Sequence, residues 1–446
     1  MVRKPTWKSV RRVALRVILV LCIATLVAYA VQLKRVHDAR TAFESDLTAH
    51  QRLGEPVFAE DFQVPPASNP TNNPAKYWKE ALLSLDRYSI SYMPSIFDEP
   101  QPLMLPFIER LRRVDQASLD AVEQAMKCGE RADWPSVVVD AASFENESSY
   151  AIWELQELLS IDVRYSAYCG DYPRVFERLA QLHRLSLDLD SSIFGPCDLW
   201  HWTRATELIA IQIARDPQIR SGIRVFPEKE CAGLIRELLD DAAMFKSDRR
   251  TLLCQRSWFL NSLLSVNGLE LSHTGLERSV RLADWLQLPG SFRTATQLLA
   301  FHDKLTLSFY RPDYEGFLQS CPKPQWLSGE PLRMTSLEEH LLSFPAMHYN
   351  AETDRHLAAM TVAMEWYAAE HGGTFPQSPL ELIPKYLPEM PGDSSTDGSP
   401  LQFRNDERAV IFSTRWWGST RVATAVDRED PFYELDDTHV FLSSRH

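Results

Sequence analysis

The stretch Val17 to Leu33, VILVLCIATLVAYAVQL, runs for seventeen residues without a charge, and no other feature constrains the chain as much. A helix rises about 1.5 Å per residue and needs roughly 20 residues to cross the hydrocarbon of a bilayer. Extending back to Val13 reaches that length if Arg16 snorkels to the headgroups. Arg3, Lys4, Lys8, Arg11, Arg12 and Arg16 precede the stretch with no acid among them, whereas Lys34, Arg35 and Arg40 follow it interleaved with Asp38. The positive-inside rule then places the N-terminus in the cytoplasm and the bulk of the chain in the periplasm, anchored to the inner membrane. The first expected partner is thus the lipid bilayer, through Val17 to Leu33.

A second reading is a cleaved secretory signal, because Ala28-Tyr29-Ala30 fits an A-x-A site and cutting after Ala30 would free a soluble periplasmic protein. The anchor is favoured because apolarity continues through Val31 and Leu33. The segment KRVHDARTAFESDLTAHQRL then reads as helix with no break at the cut. Both readings export the rest of the chain.

Charge follows the same division. Residues 1–40 hold nine Lys and Arg against Asp38, a net of +8, so the remainder carries −21 of the total −13. Such a surface repels phosphate, and no nucleic-acid partner is expected. With 45% apolar residues the exported part is able to bury a large core. Its six cysteines, Cys128, Cys169, Cys197, Cys231, Cys254 and Cys321, include no C-x-x-C pair, so thioredoxin-like chemistry and a Cys-rich zinc site lack their first requirement. Their pairing stays open between buried thiols and one or two disulfides.

Periodicity divides the chain into four parts. Residues 1–40 are the basic tail and signal-anchor. A strap over residues 41–74 contains five prolines between Gly54 and Pro74, and Asn73 is placed to cap a helix that Pro74 begins. Residues 75–349 read as an irregular antiparallel helical body, with helices from Pro106 to Gly129, Ser149 to Cys169, Pro173 onward, Leu199 to Ala214, Glu228 to Phe245, Arg249 to Leu264 and Ser291 to Leu307. A Pro- and Ser-rich loop is expected over Arg311 to Pro331, then a short helix SLEEHLLSF and a longer one from Ala351 to Glu370. Residues 350–446 end in short alternating runs, LQF and AVIF around Asn405-Asp406 and others near Arg421 to Val426 and Thr438 to Leu442, which predict strands.

Two segments carry resemblances. AYCGDYPRVFERLAQLHRL resembles the inter-helix turn of tetratricopeptide-like repeats, although no second copy recurs at a period near 34. The run from Arg355 to Phe403, with Tyr367, Gly372, Phe375-Pro376, Pro384 and Leu387-Pro388 in order, resembles the C-terminal segment of single-anchor bacterial envelope proteins. That segment in turn is similar to the periplasmic domain of type II secretion major pseudopilins (G type). The resemblance implies a small α+β domain and an accessory link to type II secretion. The prepilin peptidase signature is absent, and where pseudopilins carry a calcium loop this chain reads Ser413-Thr414-Arg415-Trp416-Trp417-Gly418 without a carboxylate. Calcium is left only to Asp427, Asp430, Asp436 and Asp437.

No H-E-x-x-H, G-x-S-x-G, G-x-x-x-x-G-K-[ST] or G-x-G-x-x-G motif occurs, so no catalytic, cofactor-binding or metal-binding residue is named and no cofactor is expected. His348 and His356 share a helix face only if that helix begins before Ala351, and surface or capping roles are expected for both. Trp200-His201-Trp202 and Trp258-Phe259 either fill the core, the favoured reading, or line a sugar- or peptide-binding groove, and Trp416-Trp417 is either a buried hairpin pair or an exposed contact patch. The expected function is a membrane-anchored, non-catalytic scaffold or binding module for an envelope protein. The alternatives are a periplasmic hydrolase whose site is assembled from distant residues, and a type II secretion accessory. A small-molecule ligand is not specified by any motif.

Overall fold

The computed structural model describes residues 7–57, 61, 72–85, 105–129, 132, 147–189, 209, 213, 216–242, 249, 252–253, 256–257, 260, 269–272, 275–278, 282–321, 335–405, 409–412 and 439–442. They form helices α1 (Trp7–Arg52), α2 (Ala75–Ser84), α3 (Leu105–Val114), α4 (Gln116–Lys127), α5 (Glu147–Tyr168), α6 (Tyr172–Leu189), α7 (Pro217–Ile223) and α8 (Glu228–Leu238). The hairpin β1 (Leu269–Ser272) and β2 (Gly275–Arg278) follows, then α9 (Leu282–Ser308), α10 (Tyr314–Ser320) and α11 (Thr335–Glu370). A 3-10 turn (Pro379–Leu382) precedes strands β3 (Gln402–Asn405), β4 (Ala409–Phe412) and β5 (His439–Leu442). The chain is mainly helical, as its periodicity predicts, and divides into two compact units, residues 1–61 with 256–303 and residues 62–255 with 304–446.

In the first unit α1 runs for 46 residues, about 70 Å, because nothing between Lys34 and Arg52 breaks its hydrogen-bond ladder. Among the described residues it is the one helix long and apolar enough to cross a membrane, which suits an anchor or a signal sequence. The apolar side chains from Val17 to Leu33 are exposed, Leu26 to 66%. Past that stretch Phe43, Leu47 and His50 become buried, with the Phe43 ring 5.9 Å from that of Phe292 on α9. The buried Arg256 donates to Glu55 Oε2 at 3.0 Å and to the Pro56 carbonyl at 2.9 Å, and lies 3.5 Å from Asp303 Oδ1. His50 joins this group, with Nδ1 3.0 Å from Glu55 and Nε2 3.4 Å from Asp303.

The second unit is built on the hairpin α5–α6 and on α11. Gly170, at φ 72°, ends α5 with the bonds Asp171 N–H to Ser166 O (2.8 Å) and Gly170 N–H to Ala167 O (3.0 Å), which a Cβ at that φ would strain. Asp171 Oδ1 then accepts weakly from Arg174 N–H, and α6 turns back along α5 with Val175, Leu179, Leu182 and Leu185 buried. The helical hairpin expected from this segment is therefore present. In α11 the run Leu357 to Met364 is buried on all sides, the pattern of a helix enclosed by neighbours. Helices α7, α8 and α10 pack on it, and Gly372-Gly373 terminate the turn beyond it. The loop over residues 391–400 is fastened to α11 through Thr353 and Asp393 and to α10 by Tyr314 N–H to Ser394 O (2.9 Å). Strands β3, β4 and β5 form one antiparallel sheet, with Phe403 opposite Ile411 and Val410 opposite Phe441.

Several elements differ from expectation. The Arg311–Pro331 stretch contains α10, because Asp313 Oδ1 accepts from Gly316 N–H at 2.6 Å and caps a helix inside an otherwise turn-rich window. The two helices expected on either side of Ala351 are one, since α11 carries Pro345 within its length, and the boundary expected at residue 349 falls inside it. The single helix expected after Pro106 breaks at Asp115 into α3 and α4. The hairpin β1–β2 lies in a region read as helical or irregular. Helix α2 starts at Ala75, whose N–H bonds Asn73 Oδ1 at 3.0 Å, one residue later than expected.

Candidate functional site

A groove of about 620 Å³ opens between α6, the segment Val225-Phe226-Pro227 and α8. Sequence spacing builds both walls. On α6 the residues Tyr172, Phe176 and Ala180 recur every four positions, beside the buried stripe of Val175, Leu179 and Leu182, so one helix supplies both core and groove. On α8 the groove face is Glu230, Gly233, Leu234 and Glu237, again at spacings of three and four. Tyr172 lies edge-on to Phe226 at 6.4 Å, with Phe176 beside them in the lining.

Gly233 bears directly on this shape. Glycine inside a helix costs about 1 kcal/mol relative to alanine, and a Cβ at 233 would meet nothing within 4 Å. Gly233 therefore borders open space on the groove lining. Its lining is apolar with three acids, Glu177, Glu230 and Glu237, and carries no Lys or Arg. Burial raises the Glu237 carboxyl above the usual range, against the pull of Arg236. An apolar floor with an acidic margin favours a segment that offers apolar side chains together with Lys or Arg.

The histidines singled out by sequence occupy a second place. Because α11 begins at Thr335, His348, Glu352 and His356 fall at i, i+4 and i+8 on one face. Both histidines are buried, at 5% exposure, so the expected surface or capping roles are corrected. Asp241, just beyond α8, reaches the same face: His356 Nε2 lies 3.2 and 3.1 Å from its two oxygens, while Nδ1 lies 2.7 Å from the Gly392 carbonyl. Arg355 donates to Asp241 Oδ1 at 2.8 Å and to the Leu238 carbonyl at 2.8 Å. The Asp241 carboxyl is held below its usual range by His356 and Arg355 against the opposing effect of burial. The His356 imidazole is held above its own by Asp241, again against burial.

Sequence reasoning missed the groove, although the four-residue spacing of Tyr172, Phe176 and Ala180 beside the core stripe was a usable signal. Cys128, Cys169 and Cys231 are free thiols, and burial pushes the thiols of Cys231 and Cys321 up to about 11. Cys197, Cys254, Trp200-His201-Trp202, Trp258-Phe259, Trp416-Trp417 and the late acids Asp427, Asp430, Asp436 and Asp437 lie outside the described residues. Compared with protein-family models, with curated proteins and with solved structures, the chain matches none.

Proposed function

We propose that this chain is a single-span envelope protein whose exported helical body binds a segment of another protein in the α6–α8 groove. The observation that carries the reading is the groove itself, apolar at its floor, acidic at its margin and with Gly233 bordering open space on its lining. The long apolar α1 and the basic residues before Val17 support an anchor with the N-terminus in the cytoplasm. The occupant is a peptide segment with apolar and basic side chains, which matches the excess negative charge of the exported part.

The test uses the full-length protein in a neutral detergent and a fluorescent peptide of alternating leucine and lysine, followed by anisotropy. Gly233→Leu fills the groove while replacing glycine by a better helix former, so binding is expected to fall at least tenfold with the fold retained. Charge reversal at Glu230 and Glu237 is expected to weaken binding about tenfold, on the order of 1.4 kcal/mol. The same reversal at Glu80 and Glu389, outside the groove, leaves binding unchanged. Equal weakening by the two charge reversals, with Gly233→Leu binding as tightly as wild type, would show that the peptide is held by net charge alone and overturn the reading.

A further inference from the structure

We propose that Asp241, Glu352 and His356 form a binding site for one divalent transition-metal ion of the zinc class. One ligand atom from each of the three lies within 4.8 Å of the others. The case rests on what the surrounding groups force upon His356. A carbonyl oxygen only accepts, so Nδ1, 2.7 Å from the Gly392 carbonyl, carries a proton. Nε2 then faces the two oxygens of Asp241, which also only accept. Nε2 and the Asp241 carboxylate therefore share a cation on the ring side, either a second proton on the imidazole or a metal ion, beside the Arg355 guanidinium on Oδ1.

The spacing suits the metal. With bonds of about 2.0 Å to nitrogen and oxygen, the edge of a tetrahedron around zinc is about 3.3 Å. The 3.1 and 3.2 Å separations between Nε2 and the Asp241 oxygens approach that edge. Glu352, one turn before His356, supplies the third ligand atom, within 4.8 Å of the other two. The surroundings are those of a metal centre: the Gly392 carbonyl fixes the imidazole, Arg355 fixes Asp241 through Oδ1, and His348 Nε2 lies 3.6 Å from Glu352 Oε2. A set of one nitrogen and two carboxylate oxygens favours zinc, cobalt or nickel over calcium, which takes six to eight oxygens.

The group formed by His50, Glu55 and Asp303 has a similar composition, but there one guanidinium, Arg256, reaches both acids, whereas among the described residues Arg355 reaches Asp241 and not Glu352. That difference provides the control. The tag-free, full-length protein, stripped with chelator, is titrated with zinc by calorimetry and with cobalt by visible absorption. One ion per chain is expected, with cobalt bands of a four-coordinate nitrogen and oxygen site and a higher melting temperature. Glu352→Gln and Asp241→Asn are each expected to weaken binding at least tenfold, whereas His50→Gln leaves it unchanged. His356→Gln keeps a donor toward Gly392 and is expected to abolish the cobalt bands. Should His356→Gln fail to fold, the wild-type cobalt spectrum and the Glu352→Gln titration still decide. Absence of binding to the wild type at 100 μM zinc (roughly −5.5 kcal/mol), or binding that survives Glu352→Gln and Asp241→Asn but is lost in His50→Gln, overturns the proposal.

Discussion

Replacing Asp162 with asparagine is expected to destabilise the α5–α6 hairpin by about 3–5 kcal/mol, the range for removing one partner of a buried ion pair. Asp162 on α5 is fully buried and faces three guanidinium groups: Arg178 Nε at 2.6 Å, Arg174 Nε at 3.2 Å and Arg112 Nε at 2.5 Å. Arg178 is itself fully buried and also reaches Gln181 Oε1 and Glu123 Oε1, so the cluster joins α3, α4, α5 and α6. Asparagine preserves shape but removes the charge and turns one acceptor oxygen into an NH2 donor among guanidinium donors, leaving one buried cation and two others beside it, with the partly exposed Glu123 as the remaining acid. Hydrogen exchange read by mass spectrometry on α5 and α6 is expected to accelerate by on the order of 10² to 10³-fold. The double variant with Arg178→Met is expected to recover part of the loss, because the orphaned charge leaves with it. Single-variant exchange within tenfold of wild type would show that the three arginines are satisfied without Asp162.

Local chemistry explains which parts of this architecture were legible in the sequence. The apolar run from Val17 and the unbroken segment after it specify α1, and the Gly170-Asp171 junction specifies the hairpin, because each signal lies within one turn of the element it controls. The strand pair around Asn405-Asp406 was legible for the same reason. Helix α10 was hidden by its setting: Asp313 is a strong cap, but it stands between Pro312 and a run of Pro, Trp and Ser. The short helix SLEEHLLSF and the one from Ala351 were read as separate, yet α11 runs through both and through Pro345, and its apolar residues show no single face because neighbours enclose it.

The sites were less legible than the helices. The spacing of His348, Glu352 and His356 was visible, but their common face depended on where α11 begins. Asp241 arrives from more than a hundred positions away, and no local pattern announces it. The groove likewise needs α6 and α8 side by side, although each wall is written in its own helix. Long-range packing decides what local periodicity leaves open.

Lowering the pH from 6.5 toward 3 is expected to destabilise the first unit through His302, and His302→Phe or His302→Leu to remove that loss. His302 on α9 is fully buried, neither ring nitrogen has a hydrogen-bond partner among the described residues, and burial with nearby Arg256 lowers its pKa to about 3. The folded chain therefore keeps the ring neutral while the unfolded chain protonates it near 6.5. The stability from this difference is complete above 6.5 and is lost as pH falls toward 3, at up to about 1.4 kcal/mol per pH unit. His50, clamped by Asp303 and Glu55 against the opposing effects of burial and Arg256, is shifted upward, so its contribution is present below 6.5 and lost as pH rises through the raised value. The two histidines thus tilt the same unit in opposite directions. Removing His302 also removes two unsatisfied buried nitrogens, each costing about 1–3 kcal/mol, which offsets the strain of a larger phenylalanine; leucine tests the same point without the added volume. Thermal unfolding at pH 7.5 and pH 5 is the measurement. The melting temperature of wild type is expected to fall more between the two than that of either variant, with the variants at least as stable as wild type at pH 5. If both variants lose as much as wild type on acidification, the acid sensitivity of the unit that continues from the apolar helix has another origin than His302.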